Sequence, residues 1–141
     1  MRYVLDASVA IKWELVELLA DKAQLLRDDY RRGVHELLAP DIFYPELVHS
    51  LTRAERQGRI SVGTAIILLA DALTTPPVIQ SCAPLLPRAC SISSAARVGV
   101  YDCLYVALAE RENCQLVTAD DKLVRNLQTQ FPFIVPLSSL P

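Results

Sequence analysis

The apolar positions of this chain fall into two rhythms, short unbroken runs that suit buried strands and longer stretches at helical spacing. "RYVL" at the start reads as a short buried strand. The stretch "SVAIKWELVELLADKAQLLRDDYRRG" then predicts a helix with Leu18, Leu19, Ala23 and Leu26 on one side. Gly33 stops it, and the charged run Arg27 to Arg32 reads as its solvated end. "HELLAP" is a second strand closed by Pro40. "DIFYPELVHSLTRAERQG" predicts a helix with Asp41 as cap and Gly58 as stop, its Leu47, Leu51 and Ala54 sharing a face that Glu46 avoids. "SVGTAIILLADAL" predicts another helix, capped by Ser61 and ended by "TTPP".

"VIQSCA" reads as a third strand, and Pro84 to Arg97 as a helix. "VYDCLYVALAERENC" is apolar almost all round, which predicts a helix sandwiched inside the protein with Asp102 at its start. "QLVTA" is a strand, "DDKLVRNL" a short helix capped by Asp120 or Asp121, and "FIVPLSS" a last strand. Strands alternating with helices, with no repeat and no linker, predict an α/β domain built around a parallel sheet.

At 141 residues the chain reads as one domain, 1–141, long enough for a proper core. Hydrophobic residues make up 52% and charged residues 21%, which excludes a disordered chain. The formal net charge of −2 advertises no nucleic-acid partner, although acids gathered in one pocket would hide a basic surface elsewhere. The apolar stretch Ala65 to Leu73 is too short to span a membrane and is interrupted by Asp71. Asp6, Lys12, Glu14 and Glu17 break up any signal-peptide core, so a cytoplasmic protein is expected. Cys82, Cys90, Cys103 and Cys114 form no C-x-x-C pair, and His35 and His49 lie far from them, which argues against zinc. Cys103 and Cys114 read as small buried hydrophobes, and Cys82 and Cys90 as partners only in an oxidising compartment.

Candidate chemistry lies in the acids. Ligands of an open parallel sheet bind beyond the carboxyl ends of its strands. Asp6 follows "YVL" and Asp120 follows "QLVTA", while Asp102 and Glu46 open helices that can run from the same edge. Singly, the aspartates read best as turn or cap residues and Glu46 as an exposed helix residue. Jointly they read otherwise, because all four lie beside apolar segments rather than inside charge runs. Unit charges about 4 Å apart repel by roughly 4 kcal/mol at an effective dielectric of 20, so such a cluster calls for cations. Oxygen-only ligands suit Mg²⁺ or Mn²⁺.

"VLDASVAIKW", "PELVHSLTRAERQGRIS", "YDCLYVALAERENCQLVTADDKL" and the closing "VPLSS" resemble, in order and in register, the PIN-domain ribonucleases, above all the VapC toxins of toxin–antitoxin pairs. Residues Pro76 to Gly99 match only loosely. The resemblance implies a PIN-like fold, a central parallel β-sheet flanked by helices in an α/β/α sandwich. It also implies Mg²⁺- or Mn²⁺-dependent endonucleolytic cleavage of single-stranded RNA. Asp6 and Asp102 match the core metal ligands, Glu46 and Asp120 the acids that complete the site, and Ser8 and Thr118 the small polar residues that support the first and fourth acids. Asp121 is an additional acid beside the last one. A cognate antitoxin and a homodimer are implied as partners, and "AIILLADAL" is a candidate dimer helix, read at least equally well as packing into the core.

RNA needs positive charge near such a site, and Lys12, Arg53, Arg56 and Arg59 are the candidate phosphate contacts, read equally well as a solvated face. Sparse aromatic residues argue against an extensive base-stacking platform. A phosphatase of the haloacid dehalogenase type is excluded because Ser8 stands where it needs a second aspartate, and a response-regulator receiver because paired acids near the first strand are missing. The remaining alternatives are a non-catalytic RNA- or protein-binding module of the same fold and a solitary RNA-processing nuclease without an antitoxin.

Overall fold

In the computed structural model, which describes residues 1–141, the first apolar run forms β1 (Arg2–Leu5). Its side chains alternate, Tyr3 and Leu5 joining one core cluster and Val4 the other. β2 (Glu36–Pro40) repeats the split with Leu37 and Ala39 against Leu38. Each strand is thus buried on both faces, and this explains why it reads as a continuous apolar run rather than an alternating one. With β3 (Val78–Gln80), β4 (Gln115–Thr118) and β5 (Ile134–Pro136) they make a five-stranded sheet in the order β3-β2-β1-β4-β5. Every neighbouring pair is parallel. The chain starts at the centre, winds out to β3, then returns to β4 on the other side of β1. Between β1 and β4 lies the point where the winding direction reverses, the place where open α/β sheets form a crevice.

One face is covered by α1 (Ala7–Ala10), α2 (Ala20–Arg31), α3 (Phe43–Arg56) and α4 (Thr64–Ala72), the other by α5 (Leu86–Ala96), α6 (Val100–Glu112) and α7 (Asp121–Leu127). The architecture is the expected α/β/α sandwich. α6 packs on β1, β2 and β4 and beneath α5, so the unbroken run Cys103–Ala109 is buried, as its all-round apolar character demands.

The long first helix is where the structure departs most from expectation. α1 gives way to a 3₁₀ turn, Ile11–Trp13, and to an irregular loop before α2 begins. Leu19 closes that loop in the left-handed region at φ 67°, and Leu18, expected to face the core, is 83% exposed. Side-chain anchors override the periodicity. Trp13 is buried with its Nε1 donating to Ala23 O at 3.1 Å, and Gln24 Nε2 donates to Trp13 O at 2.8 Å, which folds the chain back on α2.

The charged run is not a solvated end throughout. Arg27 is 3% exposed and donates to Thr75 Oγ1 (2.8 Å), Asp71 Oδ2 (3.1 Å) and Glu14 Oε2 (3.4 Å). Two caps also differ. Asp41 does not cap α3; its carboxylate accepts from Cys82 N at 3.3 Å, beyond β3. Ser61 pairs with the Thr64 hydroxyl, and it is Glu55 that accepts from Gly63 N and Ala65 N at the start of α4. Gly58 ends its turn at φ 73°, as expected of a stop. All four cysteines are free thiols, Cys103 buried and Cys114 half-buried.

Candidate active site

The carboxyl ends of β1 and β4 place Asp6 and Asp120 side by side across the reversal point, where Asp6 N donates to Val117 O at 3.1 Å and so extends the ladder. Asp6 stands at the N-cap position of α1 yet caps nothing. It is 6% exposed, and its Oδ2 accepts two hydroxyls, Ser8 Oγ at 2.6 Å and Thr118 Oγ1 at 2.7 Å. Burial pushes its pKa up, the hydroxyls pull it back, and Asp120 raises it further. Asp120 does act as a cap. Its Oδ1 accepts from Lys122 N (3.0 Å) and Leu123 N (3.3 Å), while its own N–H donates to Thr118 Oγ1. Thr118 thereby ties the two acids together.

Asp102 and Glu46 come from the first turns of α6 and α3. Burial, then the charges of Asp6, Asp120 and Glu46, raise Asp102 to about 6, with Lys122 offsetting part of the effect. Burial and Asp6 raise Glu46, against the hydrogen bond it receives from Tyr105 Oη at 2.6 Å. The four acids expected from the sequence thus share one electrostatic neighbourhood, each acting on at least one other. Asp121, the extra acid, is exposed on the first turn of α7.

No three of these side chains stand together at metal-binding spacing. The donor chemistry nonetheless fits a hard divalent cation. Its atoms are carboxylate oxygens, three of the four acids are held above their ordinary pKa by burial and by one another, and a cation would relieve both strains.

Beside the acids, Ser8, Lys12, Glu17, Ser50, Arg53 and Arg59 line a polar cleft of about 310 Å³. Lys12, Arg53 and Arg59 therefore share one cleft, whereas Arg56 is exposed and donates to Thr52 Oγ1 outside it. A second cleft of about 500 Å³, with Glu46, His49, Ser50 and Tyr101 in its lining, adjoins the first at Ser50. A further cavity of about 580 Å³, bounded by Arg2, Glu110 and Gln115, lies at the opposite end of the strands and holds none of the four acids.

Residues 3–126 match the PIN domain family. VapC ribonuclease Mb0985 of Mycobacterium bovis is 33% identical over 128 residues, spanning 86% of this chain and 96% of that protein. The chain is a PIN-domain protein of the VapC family. Ribonuclease VapC3 of Mycobacterium tuberculosis is 30% identical over 122 residues, 86% of this chain and 85% of its own. Two solved structures share the fold. PAE2754 from Pyrobaculum aerophilum superposes with a TM-score of 0.73 at 19% identity, covering 99% of this chain and 85% of that one. VapBC2 from Rickettsia felis, bound to a DNA fragment from its promoter, gives 0.63 at 15% identity over 96% and 97%.

In this VapC-family protein the sequence reading missed two residues beside the acids. Tyr105 is fully buried and sits one turn after Asp102, the one buried hydroxyl of this apolar helix. That oddity was the available signal, since a buried hydroxyl needs an acceptor. Glu17 gave no signal, because its place depends on the loop that replaces the expected helix.

Proposed function

We propose that this protein is a metal-dependent endoribonuclease that cleaves single-stranded RNA and acts as the toxin of a toxin–antitoxin pair. The observation that carries this reading is the group of mutually charged acids around the buried Asp6, with Asp102 raised to about 6, at the reversal point of a VapC-family sheet. Asp6 and Asp102 would hold Mg²⁺ or Mn²⁺, with Glu46 and Asp120 completing the set. Such an ion, when bound, supplies an acidified water and offsets charge building on the phosphate. The chain's own residues do the positioning. Ser8 and Thr118 fix the Asp6 carboxylate by two short hydrogen bonds, Tyr105 fixes Glu46, and α7 fixes Asp120 through its capped amides. Lys12, Arg53 and Arg59 would receive the RNA phosphates, and the two adjoining clefts give the strand a path past the acids.

The expected partner is a cognate antitoxin, in keeping with the VapC names of its relatives and the VapBC2 assembly among its structural neighbours. No helix is long and apolar enough to cross a membrane. The direct test sets the wild type beside Asp6→Asn and Asp102→Asn on mixed single-stranded RNA in Mg²⁺, Mn²⁺ and EDTA. Cleavage that needs metal and falls at least a hundredfold in both variants supports the assignment. Cleavage that survives both substitutions overturns it. A wild type that is free of antitoxin and binds Mn²⁺ but cuts nothing would make the non-catalytic binding module the better reading.

A further inference from the structure

The cationic cleft already contains an anion. Glu17 places Oε1 3.2 Å from Lys12 Nζ and Oε2 3.3 Å from Arg59 Nη1, so one carboxylate spans both cations with one oxygen on each. A phosphodiester offers the same features, a single negative charge shared by two free oxygens. The Lys12 side chain is only 12% exposed, which commits its ammonium to this cleft rather than to bulk solvent. The site adjoins the acids, because the same cleft includes Ser8, whose hydroxyl donates to Asp6.

The segment that carries Glu17 is weakly tethered. Trp13 and Leu15 are buried before it, but Val16 and Leu18, which flank Glu17, are 104% and 83% exposed. No apolar packing by those two neighbours pins the carboxylate in place; its two ion pairs do. The pair to the half-exposed Arg59 is cheap to exchange, and a phosphate that replaced Glu17 would leave the part-buried Lys12 still facing an anion.

We propose that Glu17 occupies a phosphate-binding subsite formed by Lys12 and Arg59, and that RNA displaces it when a backbone phosphate takes its place. This rests on the ribonuclease reading and adds to it a specific phosphate position and an internal competitor for that position. Weak or misplaced strands then fail to evict Glu17, so the residue acts as a threshold on binding rather than as a participant in cleavage.

The test measures binding apart from cleavage. Fluorescence anisotropy with a labelled single-stranded RNA is run in Ca²⁺, an oxygen-binding cation, and a gel checks that the probe stays intact. Glu17→Gln, with Glu17→Ala as a second variant, should tighten binding about three- to tenfold, because RNA then has no internal carboxylate to displace from Lys12 and Arg59. The gain should vanish when Lys12→Ala and Arg59→Ala are already present. Unchanged or weaker binding in both Glu17 variants, with the wild type binding RNA, overturns the subsite alone. A gain that persists without Lys12 and Arg59 overturns it equally, since loss of any negative charge would then explain the effect. If neither wild type nor variants bind RNA, the ribonuclease reading falls and the subsite with it.

Discussion

Asp102 is the residue on which the site's electrostatics can be read out without substrate. Its folded pKa of about 6 stands above its ordinary value of 3.8. Between those values the folded chain binds more protons than the unfolded one, so its stability falls as pH rises through that window. Asp6 and Glu46 are raised too and act in the same sense. Metal-free protein should therefore melt lower at pH 7.5 than at pH 5, with Asp102 accounting for about 1 kcal/mol after allowance for solvent screening. That corresponds to roughly 2–4 °C in Tm. In Asp102→Asn the difference should shrink, and Mn²⁺ should raise the melting temperature of the wild type more than that of the variant. A pH-independent Tm in the wild type would contradict the electrostatic picture. The acids were legible only as a set, since each singly reads as a cap or an exposed helix residue and only the shared position beside apolar segments points to a site. Their hydrogen-bond partners were less so. The Asp6 bonds to Ser8 and Thr118 followed from the resemblance, whereas the Tyr105 bond to Glu46 joins residues far apart in sequence on two helices.

At the scale of elements, the clamp around Arg27 explains why the first helix breaks. The side chains of Arg27 and Glu14 are each 4% exposed, and Arg27 reaches across to Asp71 on α4 while lying 5.0 Å from the centre of the Trp13 ring. Burial and Asp71 raise Glu14 to about 7, with Arg27 and Arg31 pulling it back. Arg27→Ala should cost about 3–5 kcal/mol, because it strands a buried acid, and thermal unfolding should show a Tm drop on the order of 10 °C. A drop of only a degree or two would mean that water reaches Glu14 freely. Helical spacing could not reveal this break. Leu18 and Leu19 have the right periodicity, but helix propensity is weak beside a buried Trp13 and a paired Arg27, whose partners lie on another helix. By contrast α6 was legible almost to the residue, since a helix apolar on every side has only the interior to occupy.

The whole molecule leaves one face of α4 uncovered. Ile66 and Ile67 are 68% and 67% exposed, while Ala65 and Ala72 on the same helix are buried. A homodimer, implied by the resemblance, would use this exposed apolar pair. The double variant Ile66→Asp with Ile67→Asp should sediment as a monomer at concentrations where the wild type is dimeric. A monomeric wild type, or a variant that still dimerises, would place the interface elsewhere or remove it.

The sequence by itself determined the alternation of strands and helices and the α/β class, and it singled out the four acids as the candidate site. These depend on local chemistry: a run buried on both faces must be apolar throughout, and a carboxylate beside such a run is conspicuous. Tertiary structure alone decided that Lys12, Arg53 and Arg59 share a cleft while Arg56 does not, that Glu17 lies between Lys12 and Arg59, and that Arg27 is buried rather than solvated. The physical reason is that a charged side chain looks the same in sequence wherever it ends up. Its role is set by the partners that the fold brings within about 4 Å, where charges are strongly felt.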